Sequence, residues 1–263
     1  MTNLFSNAGH RALLEFVRPD MLCLFDFDGT LAPLVAEPTA ATLPHAVQQR
    51  LHRLQQHAKV GIVTGRSLAD IGPRLEFTPD YLIGNHGIEG LPGWQHRANE
   101  FDTICSNWHT ALAADLLHMD PGIQLEDKRY SLSLHYRHAQ DQAQSTQALL
   151  QSFEKLTPAP RVVPGKYVFS LLPPHAVHKG LAVTRLIAQT GASRSLYVGD
   201  DVTDEDVFSL QREDLLSVRI GNDAQSAAAF FITDRQLMVN LLDQLLSYLS
   251  TGLGRLSGTH QTG

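Results

Sequence analysis

Cysteine is nearly absent from this chain: Cys23 and Cys105 are the only two in 263 residues. That argues against a disulfide framework and fits a reducing compartment, with Cys23 a buried thiol inside an apolar run. Positive charge is not in surplus either. The formal net charge is -6 and the pI near 6.1, which argues against a nucleic-acid groove or an anionic membrane surface. No apolar stretch reaches the roughly 20 residues that a membrane span needs. The N-terminus, MTNLFSNAGHRALLEF, lacks the basic start and unbroken apolar segment of a secretory signal, so the expected location is the cytoplasm. What is present is ordinary globular material. Hydrophobic residues make up 43%, enough to build one large domain or one domain carrying an insert.

Short apolar runs recur: MLCLF (21–25), VGIVT (60–64), YLI (81–83), SLYVG (195–199), SVRI (217–220) and AFFIT (229–233). Each reads as a strand buried on both faces. Amphipathic stretches separate several of them, over 44–57, over 67–75 with Ser67 as N-cap, after Lys179, and over 234–249. Strand and helix in alternation predict a doubly wound, mostly parallel α/β sheet. The middle of the chain breaks this rhythm. Residues 101–118 and about 140–156 read as helices. EDKRYSLSLHYR alternates as one half-exposed antiparallel strand, and RVVPGKYVFSLL reads as two strands about a Pro164-Gly165 turn. The expected organisation is a core of residues 1–103 and 177–263 with an α+β insert over 104–176. The Gly/Ser/Thr-rich tail after residue 250 reads as disordered.

Chemistry begins at the end of the first apolar run, LFDFDGTLAPL. Residues two apart in a strand point the same way, so Asp26 and Asp28 are expected to converge beyond the carboxyl end of the strand, where open α/β sheets bind ligands. Two converging carboxylates repel unless a proton or a cation lies between them, and hard oxygen ligands favour magnesium. Gly29 permits the sharp turn that follows.

Other strand ends carry matching chemistry. GIVTGRS places Thr64 and Gly65 before a helix start, a hydroxyl and amides able to cradle phosphate. His178-Lys179-Gly180 opens another helix. GDDVTDEDVF sets Asp200 and Asp201 after SLYVG, while its Thr203-to-Asp206 spacing suggests a capping box in which Asp204, Glu205 and Asp206 serve the helix dipole.

This ordered set resembles the haloacid dehalogenase superfamily of phosphohydrolases. Its four motifs correspond to Asp26 with Asp28, Thr64, Lys179, and Asp200 with Asp201. Within the superfamily, DFDGTLAPL, VTGRS, GNHGIE (84–89), the run from Lys128 to Arg137, PGK (164–166), HKG and GDDVTDEDVF resemble the trehalose-6-phosphate phosphatase family over about residues 21–222. The resemblance implies a Rossmann-like core with a cap that supplies specificity, acting on a small sugar phosphate. Asp26 is implied as nucleophile and Asp28 as acid and base. Magnesium would be held by Asp26, Asp28 (through its carboxylate or its backbone carbonyl) and Asp200, with Thr64 and Lys179 on the phosphoryl oxygens. Gly29, Gly65, Arg66, His86 and Glu89 from the core side, and Lys128, His135, Arg137 and Lys166 from the insert, are the implied phosphate and sugar contacts. Asp201 and Asp204 are implied as supports.

One position departs from the family pattern. Four residues after the lysine of PGK a glutamate is usual, and here Ser170 stands there, with Leu172 where a basic residue is common. Sucrose phosphate and glycosyl-phosphoglycerate are therefore the alternative substrates. A phosphomutase shares the chemistry. A signalling receiver domain shares the strand-end aspartate and lysine, but needs neither Asp28 nor a 70-residue insert.

Overall fold

The computed structural model describes residues 1–35 and 40–251; the tail expected to be disordered lies, from residue 252, outside them. The chain opens with β1 (Thr2–Asn3), α1 (Asn7–Phe16), β2 (Leu22–Phe25), α2 (His45–Leu54), β3 (Lys59–Val63), α3 (Leu68–Ile71) and β4 (Tyr81–Ile83). It continues through α4 (Ala98–Leu116), β5 (Gln124–Asp127), β6 (Leu132–His135), α5 (Gln142–Phe153), β7 (Arg161–Gly165) and β8 (Val168–Leu172). The last part holds α6 (Lys179–Thr190), β9 (Ser195–Gly199), α7 (Glu205–Phe208), β10 (Leu215–Ile220), β11 (Phe230–Ile232) and α8 (Met238–Ser250). Two compact units result, one made of Met1–His86 with the chain from His178 onward, the other of Gly87–Val177.

The first unit is built on a seven-stranded parallel sheet in the order β1-β11-β10-β9-β2-β3-β4. Strand β2 lies between β3 and β9, with Phe25 opposite both Ile62 and Val198. Its four residues are all buried, which is why LCLF reads as a continuous apolar run with no alternation. One face of the sheet packs Cys23, Phe25, Ile62 and Val198 against Leu51 and Leu54 of α2 and Leu241, Leu245 and Leu249 of α8. Burying each such leucine contributes roughly 1.5–3 kcal/mol. Both cysteines are free thiols, and burial pushes that of Cys23 up to about 12.

Local chemistry explains where the elements stop. The helix expected over 67–75 is a single α turn followed by a 3-10 turn at Gly72–Arg74, because Pro73 has no N–H to continue the ladder. Expected from Asp234, α8 begins after a 3-10 turn that Asp234 caps by accepting Gln236 N at 2.7 Å. The β1–α1 start was not anticipated; its sequence signal is Ser6, whose Oγ accepts Gly9 N at 3.1 Å as N-cap.

The second unit carries a four-stranded antiparallel sheet, β5-β6-β8-β7. Trp108 and Leu112 of α4 and Leu149 and Phe153 of α5 pack with Leu132, Leu134, Phe169 and Leu171. The expected single strand EDKRYSLSLHYR is a hairpin instead. Asp127 Oδ1 accepts Arg129 N at 2.7 Å and Lys128 N donates to Ser131 O at 3.0 Å, while Arg129 takes φ 69. That side-chain turn ends β5 before β6 starts. The β7–β8 turn is Lys166-Tyr167 rather than Pro164-Gly165, since Gly165 pairs with Val168. Pro164 is tolerated inside β7 because β7 is an edge strand. Among the described residues no helix is long and apolar enough to cross a membrane.

Candidate active site

The carboxyl ends of β2, β3 and β9 meet at the centre of the parallel sheet. Asp26 N still donates to Val198 O at 2.9 Å, and the chain then leaves the strand: Leu31 N and Ala32 N both donate to Phe27 O. Gly29 closes this loop at φ 84, and a Cβ there would lie 2.1 Å from Asp200 Oδ2. Only glycine lets the two loops approach so closely. Thr30 Oγ1 donates to Asp200 Oδ1 at 3.1 Å across the same gap.

Lys179, at the start of α6, lies almost wholly buried between two carboxylates. Its Nζ donates to Asp26 Oδ1 at 2.7 Å and to Asp204 Oδ1 at 2.8 Å. Asp204 has no exposed surface. Its Oδ1 also accepts Tyr197 OH at 2.6 Å, and its Oδ2 accepts Asp200 N and Asp201 N at 2.9 and 3.0 Å. Two donors on each oxygen saturate that carboxylate. The capping arrangement expected at Thr203 is therefore corrected. The box runs from Asp201 to Asp204: Asp201 is the N-cap, its Oδ1 accepting Val202 N at 2.7 Å, and Asp204 accepts the Asp201 N in return while also serving as the counter-charge of Lys179.

Asp28 goes elsewhere. Arg66 Nε and Nη2 donate to its two oxygens, each at 2.7 Å, and Arg66 Nη1 donates to Asp70 Oδ2 at 2.6 Å. Arg74 completes the row on Asp70 Oδ1. Burial works against the Arg66 charge, but Asp28 and Asp70 outweigh it and push its pKa up. The strand alternation that suggested convergence of Asp26 and Asp28 ends at Phe25, so each carboxylate finds its own cation. One oxygen each from Asp26, Asp200 and Asp204, with Asp28 not among them, lies within 4.8 Å of the others.

Thr64 has no exposed surface, and its Oγ1 accepts Arg66 N at 3.2 Å. The GNH loop is strapped to it: His86 N donates to Thr64 O at 3.0 Å and Asn85 N to Arg66 O at 2.8 Å, with Asn85 and His86 both at positive φ. A Cβ on Gly65 would lie 2.5 Å from His86 Cε1, so this glycine too is demanded by a close approach. With α3 only one turn long and its Asp70 N taken by Ser67 Oγ, the amide cradle expected there shrinks to the Thr64–Gly65 turn.

Three carboxylates around one ammonium leave an excess of two negative charges. Burial pushes the Asp26 carboxyl well above its ordinary range; Lys179 pulls it down, and Asp204 and Asp200 add to the rise. Asp200 is pushed up to about 7, by burial first and then by Asp204 and Asp201. The donor set suits a hard divalent cation. Because Asp204 is saturated, Asp26 and Asp200 are the residues able to hold one. The metal-free chain then gains stability on acidification, because the folded state binds a proton at Asp200 between about pH 4 and pH 7 that the unfolded chain does not. Thermal melts without divalent ions should give a higher Tm at pH 5.5 than at pH 7.5, and magnesium should reduce that difference. A flat profile would mean that Asp200 keeps its ordinary acidity.

The trehalose-phosphatase family model matches residues 24–235, a span that includes every strand end described above. The chain belongs to the trehalose-phosphatase family. Among its relatives, the trehalose-phosphate phosphatase of Mycobacterium marinum is 30% identical over 260 residues, covering 91% of this chain and 66% of that protein. An uncharacterized glycosyl hydrolase of Mycobacterium tuberculosis is 32% identical over 252 residues, covering 89% of this chain but 19% of that protein. The chain thus spans less than two thirds of either relative. The C-terminal domain of a Candida albicans trehalose-6-phosphate phosphatase has the same fold, with a TM-score of 0.71 at 20% identity over 94% of this chain and 98% of that one.

The other candidate residues of this family member lie in the second unit. Glu89 is buried. His135 Nε2 lies 2.8 Å from Glu126 Oε2, and Lys128 Nζ lies 3.7 Å from the same oxygen. Arg137 stacks its guanidinium 5.3 Å from the centre of the Tyr167 ring, next to Lys166 in the β7–β8 turn. Ser170 is directed onto Ser133, with 3.4 Å between the hydroxyl oxygens. Sequence reasoning missed Tyr197, Glu126 and Tyr167. Tyr197 reads as one more apolar residue of SLYVG, and only the fold aims its hydroxyl at Asp204. Glu126 carried a signal, two residues before Lys128, which the single-strand reading of EDKRYS obscured.

Proposed function

We propose that the chain is a magnesium-dependent phosphomonoesterase that releases phosphate from trehalose 6-phosphate. The observation that carries this reading is the buried Asp26–Lys179–Asp204 array facing Asp200 at the sheet's carboxyl edge. Asp26 Oδ attacks phosphorus, and the bond from phosphorus to the sugar oxygen breaks, leaving an aspartyl-phosphate. Asp28 gives its proton to the departing oxygen, then takes one from the water that attacks the same phosphorus and frees inorganic phosphate. Lys179 and the Thr64 hydroxyl hold phosphoryl oxygens where negative charge develops. Asp26 and Asp200 would hold magnesium, which would supply charge neutralisation at the phosphate.

The second unit, in this proposal, is the insert that recognises the sugar. Support comes from its polar sheet face: Glu126, Ser133 and Ser170 are direct cross-strand partners and share one side. Glu126 thus supplies on β5 a carboxylate that Ser170 lacks on β8. Lys128, His135, Arg137 and Lys166 complete the candidate contacts. Ser170 also favours a second reading, the same chemistry on another sugar phosphate such as sucrose 6-phosphate.

Phosphate release from trehalose 6-phosphate, sucrose 6-phosphate and glucose 6-phosphate with magnesium tests the reading. Trehalose 6-phosphate should give the highest kcat/KM, and exhaustive chelation should abolish it. Activity that survives chelation removes the metal from the proposal, and a preference for sucrose 6-phosphate installs the second reading.

Lys128→Ala or Arg137→Ala should lower kcat/KM for trehalose 6-phosphate about 10- to 150-fold, the loss of one charge-assisted hydrogen bond. An aryl phosphate, which never uses those contacts, should be nearly unaffected. Equal losses on both substrates would rule out the specificity role. Ser170→Glu should be tolerated and raise selectivity for trehalose 6-phosphate.

A further inference from the structure

Four charged side chains form an unbroken row in the first unit: Asp28, Arg66, Asp70 and Arg74. Arg66 grips both oxygens of Asp28 through Nε and Nη2, and its other terminal nitrogen, Nη1, donates to Asp70 Oδ2 at 2.6 Å. Arg74 Nη2 donates to Asp70 Oδ1 at 2.6 Å, and Arg74 Nη1 donates to Ala41 O at 3.1 Å. The row thus starts in the loop after β2 at Asp28, crosses α3 at Asp70 and rejoins the same connection at Ala41.

Asp70 takes no part in the steps written for Asp26 and Asp28, but it decides how firmly Asp28 is aimed. A guanidinium and a carboxylate joined by one fork can swing together as a single body. A second anchor outside the fork removes that freedom, and Asp70 is that anchor. The Arg66 side chain is 9% exposed and its Cζ lies 5.7 Å from the centre of the Phe27 ring, which restricts its other orientations further. Burial works to raise the Asp70 carboxyl, but Arg74 and Arg66 outweigh it and hold it below its ordinary range. The anchor is therefore anionic near neutral pH. Two carboxylates and two guanidinium groups also sum to zero, so the row needs no ion from outside. A carboxylate offers about four lone-pair positions. The fork takes one on each Asp28 oxygen and leaves one on each for a proton in transit.

We infer that Asp70, backed by Arg74, is a positioning residue of the proposed reaction: acting through Arg66, it fixes the direction in which Asp28 delivers and takes its proton. The inference rests on the phosphatase reading and deepens it.

The test compares wild-type protein with Asp70→Asn, with magnesium, on the preferred sugar phosphate and on an aryl phosphate. A sugar alkoxide needs a proton as it leaves and a phenolate does not, so a badly aimed Asp28 is felt by the first ester alone. Asp70→Asn should lower kcat/KM for the sugar phosphate about 10- to 100-fold, and for the aryl ester less than about threefold. The loss on the sugar phosphate should lie in kcat with KM little changed, because Asp70 is not placed against substrate. Arg74→Met should give a smaller loss with the same selectivity, and carries the comparison if Asp70→Asn does not fold. Arg50→Met, which breaks the α2–α8 ion pair with Asp243, is the stability control and should leave the ratio of the two esters unchanged whatever it does to Tm. In the 15N-labelled chain without magnesium, the Nε–Hε signal of Arg66 should shift or exchange faster in Asp70→Asn. Equal losses on both esters, no loss on either, or an unmoved Arg66 signal each overturn the positioning role and leave the phosphatase reading in place. Wild-type protein that releases phosphate from neither ester overturns that reading, and this role with it.

Discussion

Asp26→Asn should lower turnover of every phosphomonoester by more than about a thousand-fold and leave the fold intact. An amide cannot attack phosphorus, so the covalent step is lost and no alternative nucleophile is at hand: Asp204 is saturated and Asp28 is held by Arg66. The fold should survive because the amide oxygen can still accept from Lys179 Nζ. The substitution also removes one of three carboxylates from a site with too many, so the metal-free Tm should stay level or rise. Turnover and thermal melts on freshly purified protein, with deamidation excluded by mass, check both halves. More than a few per cent of wild-type turnover would show that Asp26 is not the nucleophile. A large fall in Tm would instead show that its charge is needed to hold Lys179.

Lys179→Met should act in the opposite sense on stability. The lysine is 2% exposed, between carboxylates that are 6% and 0% exposed. Without it two buried negative charges face each other and Asp204 retains only neutral donors. Breaking a buried pair from one side costs about 3–5 kcal/mol, a fall in Tm on the order of 10 °C for a unit of this size. Acid should restore part of it, because burial holds the Asp26 carboxyl above its ordinary range in the folded chain, so stability increases as pH falls and Asp26 takes up a proton. Activity should collapse on trehalose 6-phosphate and on an aryl phosphate alike, since both present the same phosphoryl group. That separates Lys179 from Lys128 and Arg137, whose loss should spare the aryl ester. Wild-type melting of the Lys179→Met protein at pH 7.5 would contradict the buried-pair account.

Local features were legible in the chain alone. Strands β2, β3, β4, β9, β10 and β11 stood out as short apolar runs, because a strand buried on both faces needs no partner to declare itself. The motifs at their ends were legible for the same reason: D-x-D-G-T, T-G-R and G-D-D each sit where a buried run stops. The hairpin of β5 and β6 was hidden by a chance alternation that continued across an Asp127 turn. Partners were settled by the folded chain. Lys179 meets Asp26 across 153 residues and Thr30 meets Asp200 across 170, and only the order of strands in the sheet determines which loops become neighbours. That order sent Asp28 to Arg66 instead of to a cation shared with Asp26 and made Asp204, a member of the helix capping box, the buried counter-charge of Lys179 as well. It also turned an apolar-looking tyrosine into the donor that completes that carboxylate. A charged group spends its interactions on whatever the fold brings within about 3 Å, and spacing along the chain does not encode that distance.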